Sequence, residues 1–330
     1  MYSADLNFYQ VRLRVESNDE FILEDIKRDF AYFVSRNDGY DINIAIFMQE
    51  PPYELVPHVK ASLYLPAAIA YDCKNKRYVD YQGQALTIYD YNTETGFVYS
   101  QDKNLIHEIS YLLILSRVGE LLDKKGIHRI HALGVTVHGR AVLCLLPMGA
   151  GKTTLALDLL KEEDIKLLSD DIVLVDRKGQ ILPFPLRIGV NKGIKLDIPP
   201  NFLRELQRRQ YGAKILIDLE YFKGQIGEES KPRAILIGER EYSNQAKIKP
   251  TTKLAAIGPL FQNGIIGFGL PQMVEYFLRN NFRDFNKLGL FLARIFFALK
   301  IIMVSKVYKF TIGLDRGKNI KVLLDFLANA

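Results

Sequence analysis

The chain has 330 residues, 48% hydrophobic and 25% charged, with 23 glycines and 13 prolines; this is the composition of a folded globular protein and excludes collagen-like and disordered classes. At roughly 150 residues per domain, the length accommodates about two domains. The net charge of +6 demands neither nucleic acid nor anionic lipid as a partner. Cys73 and Cys144 make no disulfide framework and no Cys-x-x-Cys spacing, which fits a reducing compartment.

Met1-Tyr2-Ser3-Ala4-Asp5 has neither the basic opening nor the apolar run of a secretory signal, so a cytoplasmic protein is expected. From Tyr9, alternation of Tyr9, Val11, Leu13 and Val15 with polar residues predicts a half-buried strand. Leu23, Ile26, Phe30 and Phe33 recur at helical spacing, Asn37-Asp38-Gly39 stops that pattern, and Ile42, Ile44 and Ile46 resume alternation. Strands follow at 77–81, 85–91 and 97–100, with Tyr78, Tyr81, Tyr89 and Tyr91 read as strand packing. These elements make a small α+β domain over 1–104, for substrate recognition or assembly.

An apolar helix at 105–122, stopped by Gly126, marks a connecting segment over 105–126, and a second domain is expected over 127–330. Two apolar runs, 134–137 and 141–146, flank His138-Gly139-Arg140 and predict a hairpin. Its second strand runs into Pro147-Met148-Gly149-Ala150-Gly151-Lys152-Thr153-Thr154, followed by a helix from Leu155. Strand, glycine-rich loop and helix are the context of a phosphate-binding P-loop. There Gly149, Ala150, Gly151, Lys152, Thr153 and Thr154 cradle the anion with backbone N–H groups. The lysine reaches the terminal phosphates and the Thr153 hydroxyl ligates Mg²⁺. Pro147 replaces the usual first glycine, which removes one N–H and stiffens the entry.

Ser169-Asp170-Asp171 comes one helix later, ahead of the apolar run 172–175. Two adjacent carboxylates near a nucleotide can divide the work, one orienting Mg²⁺ and the other accepting a hydroxyl proton during phosphoryl transfer.

The order His131-Ala132-Leu133-Gly134-Val135, hairpin, phosphate loop and Asp-Asp pair resembles the HPr serine kinase/phosphorylase-like proteins, relatives of the phosphoenolpyruvate carboxykinases. The resemblance is clearest from His131 to about Val190. It implies an α/β fold with a P-loop kinase domain of that type, a mixed sheet with flanking helices, preceded by the smaller α+β domain. It also implies ATP with Mg²⁺, and transfer of the γ-phosphoryl group to a hydroxyl, often a serine. By position, Lys152 binds phosphates, Thr153 and Asp171 the metal, and Asp170 is the base, with the two Asp roles open to exchange. His131 matches the pre-loop histidine. The Pro-bounded stretch 180–192 is similar to a segment by which related kinases bring a basic residue to the active site, which implies Arg187 as the candidate for neutralising charge on the transferred group. The acceptor is left open among protein, peptide and small molecule, as are the choice of nucleotide and a homo-oligomer. The alternative function is a nucleotide sensor that transfers nothing.

Beyond Asn201 no further signature is found. Strands are expected at 214–219, 234–238 and 306–312, with a last helix at 319–328. Lys231, Arg233, Lys247, Lys249 and Lys253 are read as solvated surface, and nucleic acid is not an expected partner because no recognised module accompanies them. The run 288–304 contains Arg294 and Lys300, each costing roughly 2.5–3.5 kcal/mol at a bilayer centre, so a buried or interfacial helix is expected there rather than a transmembrane segment. His58, His107, His128 and His138 show no metal spacing.

Overall fold

A computed structural model describes residues 1–147, 149–208, 212–266 and 285–329. The chain is mixed α/β and divides into two units, one built from residues 1–122 and 189–219, the other from 123–188, 220–266 and 285–329. The expected boundary near 105–126 falls inside a helix, between Leu122 and Asp123. Residues 189–219, expected in the second domain, pack with the N-terminal unit, so the second unit is discontinuous in sequence.

The first unit begins with β1 (Tyr2–Phe8) and β2 (Val11–Ser17). Tyr9, expected in a strand, instead turns the chain between them at φ 60°. Helix α1 (Glu20–Asp29) follows, started by Asp19, whose carboxylate accepts from the Ile22 amide at 3.0 Å. Then come β3 (Val34–Ser35), β4 (Ile42–Met48), β5 (Leu63–Leu65), β6 (Ala68–Cys73), β7 (Lys76–Asp80), β8 (Ala85–Asp90) and β9 (Thr95–Ser100). They form one sheet in the order β3-β1-β2-β4-β9-β8-β7-β6-β5, with β2, β4 and β9 mutually parallel. Alternation puts Leu6, Phe8, Leu13 and Val15 in the core, where α1 contributes Ile22, Ile26 and the adjoining Phe30.

Helix α2 (Lys103–Lys124) is capped by Asp102, which accepts from the Asn104 and Leu105 amides at 2.8 and 3.1 Å. Its buried Arg117 pairs with Glu120 and with Glu94 at 3.0 Å, and lies 4.5 and 4.6 Å from the ring centres of Tyr89 and Tyr91. Those two tyrosines are thus engaged by a cation of the fold.

The second unit opens with β10 (His128–His131), β11 (Leu133–Val137) and β12 (Arg140–Leu145), then α3 (Lys152–Leu159), β13 (Ile165–Ser169), β14 (Ile172–Val175) and β15 (Ile181–Leu182). His138 and Gly139, at φ 50° and 70°, make the tight β11–β12 turn that the hairpin spacing predicts. The chain then passes through β16 (Ile188–Asn191), β17 (Leu203–Arg208) and β18 (Gly212–Ile217), a small sheet ordered β16-β18-β17. This sheet belongs mainly to the first unit, tied there by Arg204, which reaches Asp25, Asp29 and Asp218 at 2.9, 2.7 and 2.9 Å.

The second unit closes with β19 (Lys231–Arg240), β20 (Lys247–Pro250), α4 (Phe285–Val304), β21 (Lys306–Ile312) and α5 (Arg316–Asn329). Its main sheet runs β13-β11-β12-β19-β21-β20, and a second sheet runs β10-β14-β15. Within the main sheet β12, β19 and β21 are parallel, while β11, β13 and β20 pair antiparallel. Leu143, Leu145, Ile235, Ile301 and Ile302 share its core. Among the described residues no helix is long and apolar enough to cross a membrane. The run containing Arg294 is α4, where Arg294 is buried and bonded to Asp123, itself joined to His128 at 3.0 Å. Burial alone would raise the Asp123 pKa; Arg294, His128 and Arg129 outweigh that and hold it at about 2.

Candidate phosphate-binding site

β12, apolar and buried after Arg140, delivers the chain into the loop, and α3 leaves it, so the strand–loop–helix context is present. Gly149 and Gly151 stand at φ +74° and +86°, conformations that favour glycine, and Gly151 is the residue that starts α3. No side chain caps α3. A Cβ added at Gly149 or Gly151 would meet no atom within 4 Å, so no neighbouring side chain packs against the loop at either glycine. Pro147 is exposed, and its carbonyl accepts from the Ala150 amide at 3.1 Å, closing the entry as a turn. Met148 lies outside the described residues. Thr153 and Thr154 are half-buried in the first turn of α3.

The half-buried Lys152 places Nζ 2.5 Å from Nε2 of His131 and 3.4 Å from the Leu146 carbonyl. His131 Nδ1 is in turn 3.2 Å from Asp171 Oδ1, close enough for an ion contact but not aligned for a hydrogen bond. Burial lowers the pKa of Lys152, opposed by the carboxylates of Asp171 and Asp170. Burial likewise lowers that of His131, with Asp171 opposing and Lys152 adding to the effect.

Sheet pairing explains why residues far apart in sequence meet here. β10 pairs with β14, and β11 with β13, so the short steps from β10 to β11 and from β13 to β14 both cross between the two sheets. The Ala132 amide donates to the Asp171 carbonyl at 3.0 Å, locking the two crossings side by side. Ser169 makes the second crossing, its hydroxyl accepting from the Asp171 and Ile172 amides at 3.3 and 3.1 Å. Asp170 is buried, whereas the Asp171 side chain is 52% exposed. Gly134 allows the close approach: a Cβ there would lie 2.4 Å from Val173 Cγ1.

Arg187 is half-buried just before β16. Three residues earlier the Phe184 amide donates to the Leu168 carbonyl at 2.8 Å, which brings this segment beside the strand that ends at the Asp pair. Arg240, which the sequence did not single out, belongs to the loop: its Nη1 donates to the Gly149 carbonyl at 3.2 Å. The legible signal was an apolar strand, 234–238, ending in Glu-Arg-Glu. The basic positions further along carry interleaved acids. Lys247 and Lys249 share a depression of about 190 Å³ with Glu239, Glu241, Lys309 and Thr311.

Among the described residues, no group of three or more His, Cys, Asp or Glu is placed to hold a metal ion. Mg²⁺ commonly takes only one or two protein oxygens beside phosphate and water. The Thr153 hydroxyl, in the first turn of α3, and the exposed Asp171 carboxylate are oxygens of the kind that demand takes. No family model matches the chain, and no curated protein matches it.

Proposed function

We propose that the chain is an ATP-dependent kinase of the HPr-kinase-like type, with a P-loop kinase fold in its second unit. It would transfer the γ-phosphoryl group to a hydroxyl of a protein, peptide or small molecule. The observation that carries this reading is the cluster Lys152–His131–Asp171 beside an open glycine loop at the N-terminus of α3. An ordinary turn does not require a half-buried lysine at its end, two glycines at positive φ and a carboxylate pair at the crossing between two sheets.

In this mechanism the loop amides and the Lys152 ammonium hold the phosphates. Thr153 and Asp171 supply oxygens to Mg²⁺, which when bound neutralises phosphate charge. Asp170, the buried carboxylate, accepts the proton of the acceptor hydroxyl. The Arg187 guanidinium stabilises charge on the transferred group. Because P-loop chemistry is common to many acceptors, the first unit is the natural place for acceptor recognition.

One observation favours a second reading, a sensor that binds nucleotide without transfer. The Ala150 amide is spent on the Pro147 carbonyl rather than left for a phosphate. Following γ-labelled ATP with Mg²⁺ and cell extract, with Lys152→Ala as blank, separates the two. Label on an acceptor is expected; tight ATP binding with neither transfer nor released phosphate would favour the sensor, and no binding at all would sink both.

A further inference from the structure

Register places Arg240 where a phosphate chain would pass. β19 runs parallel to β12 with Ile237 opposite Leu145, the last residue of β12, so β19 continues through Arg240 alongside the glycine loop. The approach is tight, since a Cβ on Gly238 would lie 2.4 Å from Leu146 Cδ2. Strand alternation then separates the charges at this end. Glu239 pairs with Lys309 at 2.5 Å and Glu241 faces Lys247 at 3.9 Å, while Arg240 between them reaches the Gly149 carbonyl. Arg240 is exposed, and no carboxylate among the described residues lies within ion-pair distance of it.

A guanidinium carries five N–H donors in a planar fork suited to phosphate oxygens, and the carbonyl of Gly149 accounts for one. It is held at Gly149, where an added Cβ would find no neighbour within 4 Å. The interaction with Gly149 alone would be satisfied by any neutral donor. A full positive charge without a carboxylate partner, beside an open anion cradle, calls for an anion.

We propose that Arg240 is a phosphate-binding residue of the glycine loop, the second cation beside Lys152, and that its ligand is the polyphosphate chain of a nucleoside triphosphate. The assignment rests on the reading of the loop as a phosphate cradle. It goes beyond that reading by bringing in a strand that carries no part of the motif.

Three variants separate charge from bracing, read by calorimetric binding of ATP and of inorganic triphosphate to the full chain. Arg240→Ala removes both charge and donor, Arg240→Gln keeps a neutral donor for the Gly149 carbonyl, and Arg240→Lys keeps the charge. Alanine and glutamine are each expected to weaken triphosphate binding about tenfold or more, with lysine between them and wild type. All three should keep the unliganded unfolding midpoint of wild type. Glutamine binding like wild type would reduce Arg240 to a brace, and alanine binding like wild type would remove it from the site; either overturns the assignment. Failure of folded wild-type protein to bind either triphosphate would overturn the cradle itself, and the assignment with it.

Discussion

The Lys152 ammonium rests 2.5 Å from Nε2 of His131, and this contact fixes the proton on the imidazole. A lysine ammonium has only donors, so Nε2 must be the acceptor and the ring hydrogen sits on Nδ1, toward Asp171. His131 is therefore neutral in the resting site, in keeping with the lowered pKa that burial gives it. A protonated ring would set two cations against each other in a half-buried pocket. His131 gives the Lys152 ammonium an acceptor inside the half-buried pocket.

Because the native pKa of His131 lies below its unfolded value near 6.5, its contribution to stability is complete above about pH 6.5 and is lost as pH falls through the native value. The ring C–H resonances of His131, assigned by comparison with His131→Asn, should titrate with a midpoint below 6.5. A midpoint at or above 6.5 would contradict the neutral contact.

The two aspartates should separate by phenotype. Asp170 is buried and Asp171 is half-exposed beside His131, so one peptide step gives two environments. Asp170→Asn is expected to lower phosphoryl transfer by about 10²–10⁴-fold, the usual span for a lost general base, while ATP affinity stays within a few-fold of wild type. Asp171→Asn should instead raise the Mg²⁺ concentration needed for half-maximal activity, by roughly tenfold. Steady-state assays across a Mg²⁺ titration test both, and equal losses with unchanged Mg²⁺ dependence would refute the division.

What the sequence made legible was local. The His138-Gly139 turn and the loop glycines each carry their conformation in a few adjacent residues, and the structure has the hairpin turn and the positive-φ glycines at those positions. Pairings between distant segments were not legible. Nothing around Arg204 announces that it reaches Asp25 and Asp29, so the attachment of 189–219 to the first unit could not be read. Arg240 was hidden for the same reason, because its importance comes from β19 lying beside β12. Tyr9 failed differently: it continues an alternating pattern, yet the turn after Phe8 takes precedence over strand propensity.

Gly134 gives a stability test of the two-sheet crossing. Its backbone does not need glycine's left-handed freedom; the need is space, since a Cβ would lie 2.4 Å from Val173 Cγ1 and 3.3 Å from Leu168 Cβ. Gly134→Ala should destabilise by about 1–3 kcal/mol, the usual cost of overpacking a tight core. Val173→Ala opens a cavity alone but should recover part of the loss when combined with it. Urea unfolding of the two single variants and the double variant tests this as a cycle. Strict additivity would show that the clash is relieved elsewhere.

In the first unit, His107 should make stability depend on pH in a defined window. Its Nε2 lies 2.7 Å from Asp29, a fully buried carboxylate that also accepts from Arg204 at 2.7 Å. Burial lowers the His107 pKa to about 4, with Arg204 acting in the same direction and Asp25 and Glu108 opposing. The native state thus favours the neutral ring. The stability it contributes is complete above the unfolded value near 6.5 and is lost as pH falls toward 4. At about 1.4 kcal/mol per pKa unit, acidification from pH 7.5 to 5 should cost roughly 2 kcal/mol through this residue. Glutamine at this position keeps an N–H donor for Asp29 but cannot titrate. Urea unfolding of wild type and His107→Gln at the two pH values should therefore show a larger loss in wild type by about that amount. Equal losses would mean that His107 accepts a proton as readily in the folded unit as in the unfolded chain.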